Sequence, residues 1–254
     1  MSDSFDPRRF ASQLIDAHRT LVPLTPEQIG TGPATLDEID FIHSEVIRSI
    51  GPAGGFKTAY PPDGEPQIMA PIPASKIRPS PARYEASEMR LYGIELEIAF
   101  RIDRELPDRD APDFEDRLRE AVSVVPVIEM VDSRLYDMNA VTPLTKLADN
   151  QSGFGLVVGS PIADWQSLDI TSPAVTFTVN GVQTGPTSGM VPGGHSAFEV
   201  LAGLVASVDD FCGGLSVGHY VTCGALTGLH FTEAGAAVEG SIAGIGDVSV
   251  TIGK

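Results

Sequence analysis

Two glutamates, Glu95 and Glu97, are the residues in this chain whose type and spacing most directly suggest chemistry. They sit in Gly93-Ile94-Glu95-Leu96-Glu97-Ile98-Ala99-Phe100, where Leu96, Ile98 and Phe100 alternate with Glu95, Glu97 and Ala99. That period of two is the signature of a strand, and it points both carboxylates to the same face. Stacked carboxylates repel, so they need a cation, a shared proton or open water. With an apolar face behind them, a hard divalent cation that prefers carboxylate oxygens is one answer. The wet face of an exposed strand is the other.

A metal site needs a third ligand, and Glu129 is the first candidate. It interrupts the apolar run Val124 to Val131, where a carboxylate must be paired or bound to a cation. Asp132 follows closely but has Arg134 as an alternative partner. Three carboxylates plus waters suit an open Mg²⁺ site. Zinc fits less well, because the cluster holds neither His nor Cys. Lys57, in Gly54-Gly55-Phe56-Lys57-Thr58, is a lysine among glycine and apolar residues. Desolvated beside a metal it would have a lowered pKa and serve proton transfer; on a flexible loop it would be an ordinary surface lysine. Asp149-Asn150-Gln151-Ser152-Gly153 reads as a polar turn that either ends there or presents Ser152 or its backbone N–H groups to a ligand. Gly193-Gly194-His195 precedes a helix start, where an anion can sit, and His195 reads equally well as an exposed loop residue.

The elements that must position these residues make an α+β chain. Helical spacing runs over residues 8–22, through Phe10, Leu14, Ala17 and Leu21. Thr25-Pro26 marks a helix start. Residues 35–50 carry a capping box, Thr35 with Glu38, and a stripe of Ile39, Ile42, Val46, Ile47 and Ile50. His43 beside that stripe reads as a structural histidine. Residues 51–87 hold prolines at 52, 61, 62, 66, 71, 73, 79 and 81. They are expected to form loop and short edge strand, since proline is excluded from central strands. From Arg90 onward strands dominate: residues 124–131, 153–159, a hairpin turning at Asn180-Gly181, 220–226 and 237–252. Helices interrupt them at 114–122 and 196–211. The organisation expected is an N-terminal helical segment, residues 1–55, packed on a β-rich body, residues 56–254.

Composition narrows the function. The chain has 254 residues, 42% hydrophobic and 20% charged, with a net charge of -17 and a pI near 4.5. A globular core is feasible, and non-specific binding to nucleic acid or to anionic membranes is disfavoured. Two cysteines, Cys212 and Cys223, make no disulfide framework. The N-terminus lacks a signal-peptide core, and the stretch Ala197 to Val208 is too short to span a bilayer. A cytoplasmic protein is the default expectation.

Several of these stretches resemble the 2-keto-4-pentenoate hydratase group of the fumarylacetoacetate hydrolase superfamily. The carriers are Gly93 to Phe100 with Arg104-Glu105-Leu106-Pro107, then Val124 to Arg134, Ala148-Asp149-Asn150-Gln151-Ser152, Thr222-Cys223-Gly224-Ala225-Leu226 and Gly244-Ile245-Gly246. The resemblance implies a mixed β-roll like the fumarylacetoacetate hydrolase C-terminal domain, with an N-terminal helical segment, and a homo-oligomer. It implies Mg²⁺ or Mn²⁺ held by Glu95, Glu97 and Glu129, Lys57 as the catalytic lysine, and Ser152 and Gly224 as substrate-binding residues. The implied reaction is hydration of a 2-hydroxy-2,4-dienoate to a 4-hydroxy-2-oxo acid. Decarboxylation of a 2-oxo acid and C–C hydrolysis of an acylpyruvate are alternatives in the same site, and a silent binding homologue is a third. Departures are present: Gln67-Ile68-Met69 stands where many hydratases carry Asp-Phe-Gly, Cys223 where Thr is usual, and Gly194-His195-Ser196 where Gly-His/Asn-Pro is usual.

Overall fold

The computed structural model describes residues 5–61 and 66–254. Met1 to Ser4 and residues 62–65, which include Pro62 of the proline-rich stretch, lie outside the described residues. Three helices lead the chain: α1 (Pro7–Thr20), α2 (Pro26–Ile29) and α3 (Leu36–Ile50). Each starts where a side chain satisfies free backbone N–H groups. Asp6 accepts from Arg8 and Arg9, while Thr25 with Gln28 and Thr35 with Glu38 close reciprocal capping boxes.

Strands β1 (Ala53–Thr58), β2 (Met69–Pro73), β3 (Ile77–Pro79), β4 (Ala82–Tyr84) and β5 (Gly93–Ile102) follow. Then come α4 (Phe114–Ala121), β6 (Val122–Val131), α5 (Pro143–Ala148), β7 (Gly153–Val158), β8 (Val175–Val179) and β9 (Val182–Gln183). Helix α6 (Ala197–Ser207) precedes β10 (Tyr220–Ala225), β11 (His230–Phe231), β12 (Ala237–Ile242) and β13 (Gly246–Ile252). Helix α6 is shorter than the 196–211 expected from sequence, because Asp209 adopts a left-handed φ of 43° that cannot continue it. Cys212 and Cys223 are both free. Among the described residues no helix is long and apolar enough to cross a membrane.

The strands form two mixed sheets. One runs β2-β1-β10-β5-β6-β7-β3, with β11 pairing on β5; the other runs β4-β13-β12-β8-β9. The first sheet is strongly curled. Lys57 on β1 reaches Glu129 on β6 at 2.5 Å, although β10 and β5 intervene, which in a flat sheet would set the strands about 14 Å apart. Its concave side is filled at one end by Ile72, Ala99, Val125, Val127, Leu156 and Val158. Its convex side, including Leu96, Ile98, Phe100 and Ile128, packs on the second sheet through Phe177, Val238 and Val250 and on α6 through Phe198 and Leu201. The alternation read around Glu95 is therefore a division between the interior of a half-barrel and the main core.

One expectation needs correction. The proline-rich stretch contains an interior strand, β1, which lies between β2 and β10. The prolines fall outside Ala53–Thr58; Pro71 and Pro73 lie in β2, at the sheet edge where a missing N–H is tolerated. Gly55 lets β1 lie against β10, since a Cβ there would come within 2.1 Å of the Tyr220 carbonyl oxygen. Lys57 is thus a strand residue held opposite Thr222, and residue 55 lies inside a strand.

The N-terminal helices pack through Phe10, Leu14, Ile39, Ile42 and Val46 on Ala70, Leu135, Leu147 and Ala148 of the later chain. His43 lies in this seam, fully buried, with Nε2–H donating to the Leu147 carbonyl at 2.8 Å and Nδ1 unpartnered. Burial lowers its pKa from 6.5 to about 4. The unfolded chain therefore binds the proton between those values and the folded one does not, so stability falls as pH drops through that window. The advantage in unfolding free energy of the wild type over His43→Gln should shrink by about 3 kcal/mol between pH 7 and pH 4. Denaturant melts of the pair across that range check this, and a constant difference would mean that His43 is not buried neutral.

Candidate metal centre

Strand register brings the three glutamates together. Strands β5 and β6 are antiparallel with Glu95 directly opposite Glu129, and Glu97 follows two residues along the same face. One oxygen from each of the three lies within 4.8 Å of the others. Glu97 and Glu129 are 2% and 1% exposed and Glu95 is half-buried, so the face that carries Glu95 and Glu97 is not that of an exposed strand. Glu97 accepts a hydrogen bond from the Gly224 N–H at 3.0 Å. Glu129 Oε1 accepts from Lys57 Nζ, while its Oε2 is buried without a partner.

The charges are mutually stressed. Burial, then the Glu129 charge, raises the Glu95 pKa to about 7 against the opposing pull of Lys57 and Lys146. Burial, Glu129 and Glu95 push Glu97 well above the carboxylate range. Two buried carboxylates and a half-buried one, with a free buried oxygen, suit a hard divalent cation, so the residues present fit such an ion, which Glu95, Glu97 and Glu129 would hold. Lys57 departs from the expectation for a desolvated lysine. Burial lowers its pKa, but the charges of Glu129, Glu95 and Glu97 outweigh that and leave it raised. Lys57 is a donor to Glu129 and to the Gln151 carbonyl at 3.3 Å.

Ser152 is presented by an unusual turn. Asn150, Gln151 and Ser152 have φ values of 50°, 51° and 59°, three successive left-handed residues without a glycine. Such residues persist only where their surroundings hold them. Here Arg134 donates to the Asp149 carboxylate at 2.5 Å, to the Asp149 carbonyl at 2.6 Å and to the Gly153 carbonyl at 3.0 Å. Ser133 donates to the same carboxylate at 2.8 Å. Arg134 therefore pairs with Asp149; Asp132 instead accepts from the backbone N–H groups of Arg90, Leu91 and Ser133. Gly153 leaves room beside the turn, since a Cβ there would sit 3.0 Å from the Asn150 carbonyl oxygen and 3.2 Å from both Glu129 Oε1 and Lys57 Cδ.

Lys57, Glu95, Glu97, Gln151 and Ser152 line one cavity of about 240 Å³. Its polar end holds Lys57, Glu95, Glu97, Ser152, Thr222 and Gly224, and its apolar wall is built from Ile68, Met69, Met138, Leu147 and Leu229. The hydroxyls of Ser152 and Thr222 are both buried without a partner. Sequence reading picked out Ser152 but not Thr222. Its hint was the Lys57–Thr222 pairing, which joins positions too distant for any local pattern. Lys146 also lines the cavity, and nothing in Pro143-Leu144-Thr145-Lys146-Leu147-Ala148 signals that locally. Gln67 and His195 lie elsewhere: Gln67 donates to Thr58 and to the Val200 carbonyl, and His195 stacks on Tyr60 with ring centroids 3.4 Å apart.

No protein-family model matches the chain. Among curated proteins it is similar to the 2-keto-4-pentenoate hydratase of Paraburkholderia xenovorans (strain LB400) and the 2-keto-4-pentenoate hydratase 3 of Pseudomonas putida, each 27% identical over 155 residues. The matched stretch is 61% of this chain and 56% of each relative, so it spans little more than half of their length. In fold it is similar to 4-oxalocrotonate decarboxylase from Pseudomonas putida G7, solved with magnesium and adipate, with a TM-score of 0.80 and 17% identity over 98% of this chain and 99% of that one. It also matches fumarylpyruvate hydrolase from Pseudomonas aeruginosa, solved with Mn²⁺ and pyruvate, with a TM-score of 0.56 and 18% identity over 78% and 88% of the two chains. In sequence the chain is thus similar to 2-keto-4-pentenoate hydratases over part of its length, and it shares the fold of 4-oxalocrotonate decarboxylase over nearly all of it.

Proposed function

We propose that this protein is a divalent-metal-dependent hydratase that converts a 2-hydroxy-2,4-dienoate into a 4-hydroxy-2-oxo acid. The observation that carries the reading is the convergence of Glu95, Glu97 and Glu129 with Lys57 at the polar end of one cavity. Sequence similarity to named hydratases and the Mg²⁺ and Mn²⁺ bound by relatives of like fold support it. A cation held by the three glutamates would supply Lewis-acid stabilisation of negative charge on the 2-oxygen. Lys57, as a charged donor, complements the substrate carboxylate or delivers a proton during the enol-to-keto step. Ser152 and Thr222 offer hydroxyls with free hydrogen-bonding capacity, and Gly224 orients Glu97 through its N–H. The wall of Ile68, Met69 and Leu229 keeps the unsaturated carbon chain away from bulk water.

A second reading, 2-oxo acid decarboxylase, is favoured by one observation. Among the described residues lining the cavity, no His or Asp accompanies the glutamates and lysines. Loss of a carboxylate needs a single proton delivered to carbon, whereas hydration also needs water to be deprotonated. Product analysis of the Mg²⁺-supplied protein with 2-hydroxypenta-2,4-dienoate, oxaloacetate and an acylpyruvate decides. A 4-hydroxy-2-oxo acid is the expected product; pyruvate and CO₂ from oxaloacetate alone would move the protein to the second reading, and inertness toward all three would overturn both.

A further inference from the structure

The cavity contains a cation that the reaction above does not use. Lys146 sits in the last turn of α5, half-buried, and lines the cavity with Leu147. Among the described residues its ammonium forms no hydrogen bond and has no carboxylate within 4.0 Å, in contrast to the paired Lys57 and Arg134. Lys57 differs, being locked to Glu129. The chain has 34 acidic residues and 17 lysines and arginines, so a basic side chain left without an acidic partner is not for want of acids. A half-buried lysine lining a cavity is better satisfied by an anion inside that cavity than by water alone.

The backbone around Lys146 is fixed. Thr142 caps α5 by accepting from the Thr145 N–H, the Leu147 carbonyl accepts from His43, and Asp149, just beyond the helix, is held by Arg134. Apolar Met138 and Leu147 line the same part of the chain and the same cavity. A ligand filling this space thus meets three chemistries: the glutamates with Lys57, an apolar wall, and a second positive charge. A monocarboxylic 2-oxo acid uses the first two and leaves Lys146 unanswered.

We propose that Lys146 is a specificity-determining residue that receives a second carboxylate, so that the substrate is a dicarboxylic 2-oxo or 2-hydroxydienoic acid. This rests on the reading of the glutamate end as the place where the 2-oxo acid head binds. The second carboxylate is an intact feature of the bound substrate and is not consumed by the hydration, so no further co-reactant is required.

The test compares 2-oxoadipate with 2-oxohexanoate, acids of equal chain length that differ in the distal carboxylate. Each is titrated calorimetrically into the Mg²⁺-supplied protein, as wild type, Lys146→Met and Lys146→Arg, with Mg²⁺ alone titrated into each variant. The wild type should bind 2-oxoadipate about tenfold or more tightly than 2-oxohexanoate, the size of one charge-assisted hydrogen bond. In Lys146→Met that preference should vanish, and Lys146→Arg should retain most of it. Equal binding of the two acids by the wild type overturns the proposal without involving any variant. So does a preference that survives in Lys146→Met, or a parallel weakening of both acids and of Mg²⁺, which would make Lys146 a charge balance for Glu95. If neither acid binds the wild type with Mg²⁺ present, the reading of the glutamate end falls, and this proposal with it.

Discussion

Glu97→Ala should lower affinity for Mg²⁺ or Mn²⁺ by about 100-fold or more, since even partners behind a ligand are worth 10–100-fold. Glu97 is buried, its carboxylate lies within 4.8 Å of those of Glu95 and Glu129, and it accepts a hydrogen bond from the Gly224 N–H. Removing it leaves two acidic side chains, one of which Lys57 already engages. Calorimetric titration of metal into the two proteins gives the comparison. Thermal unfolding supplies a second readout that requires no substrate. Metal at 100 times its dissociation constant stabilises the wild type by about 2.7 kcal/mol, which for a chain of this size raises Tm by roughly 5–10 °C. That increment should be missing from the variant. Glu97→Gln refines the argument, because it keeps the shape and removes one of three repelling charges: its metal-free form should unfold at a higher temperature than the metal-free wild type, with no gain on adding metal. Full metal occupancy of Glu97→Ala would sink the assignment.

The glutamates were legible in the sequence because two local signals coincide at them. Alternation placed Glu95 and Glu97 on one face, and a carboxylate inside the apolar run around Glu129 had no ordinary reason to be there. Neither signal specified that Glu95 and Glu129 would be paired; that follows from the antiparallel register of β5 and β6. The start of α3 was equally legible, since Thr35 with Glu38 is a short-range capping box and it forms, whereas α5, capped by Thr142, was not read. The environment of Lys57 was misjudged because proline density was averaged over a long stretch that contains a proline-free strand. The partner that makes β1 an interior strand is β10, far along the chain, and a parallel pairing of that kind leaves no local periodicity. The polar turn at Asn150–Ser152 was legible, but its left-handed backbone was not, for a related reason. Left-handed backbone is signalled by glycine, and here the conformation is imposed by the Arg134–Asp149 network on residues that do not advertise it. Lys146 and Thr222 acquire their significance only through the cavity that the curled sheet and α5 enclose together.

Lys57→Met should retain metal binding but lower kcat/KM by about 10²–10⁴, the range for losing a positioned proton-transfer group. The prediction rests on the reaction proposed above and on the position of Nζ, 2.5 Å from Glu129 and 3.3 Å from the Gln151 carbonyl, at the polar end of the cavity. Three carboxylates keep this ammonium protonated in the metal-free protein, so its first role is that of donor. Removing it takes a positive charge away from the glutamates, so metal affinity should hold or rise while turnover collapses. That opposition separates Lys57 from a residue whose loss merely loosens the fold. Lys76→Ala is the control: Lys76 lies over the Phe154 ring at 4.3 Å, is absent from the cavity lining, and should leave kcat/KM within about twofold of wild type, as substitutions away from a site usually do. Steady-state kinetics on whichever 2-oxo or 2-hydroxydienoic acid is turned over, with metal titrations in parallel, read both effects. If Lys57→Met and Lys76→Ala lose activity equally, the Lys57–Glu129 pair is a structural ion pair, and the proton in the proposed reaction must come from water or from one of the hydroxyls of Ser152 and Thr222.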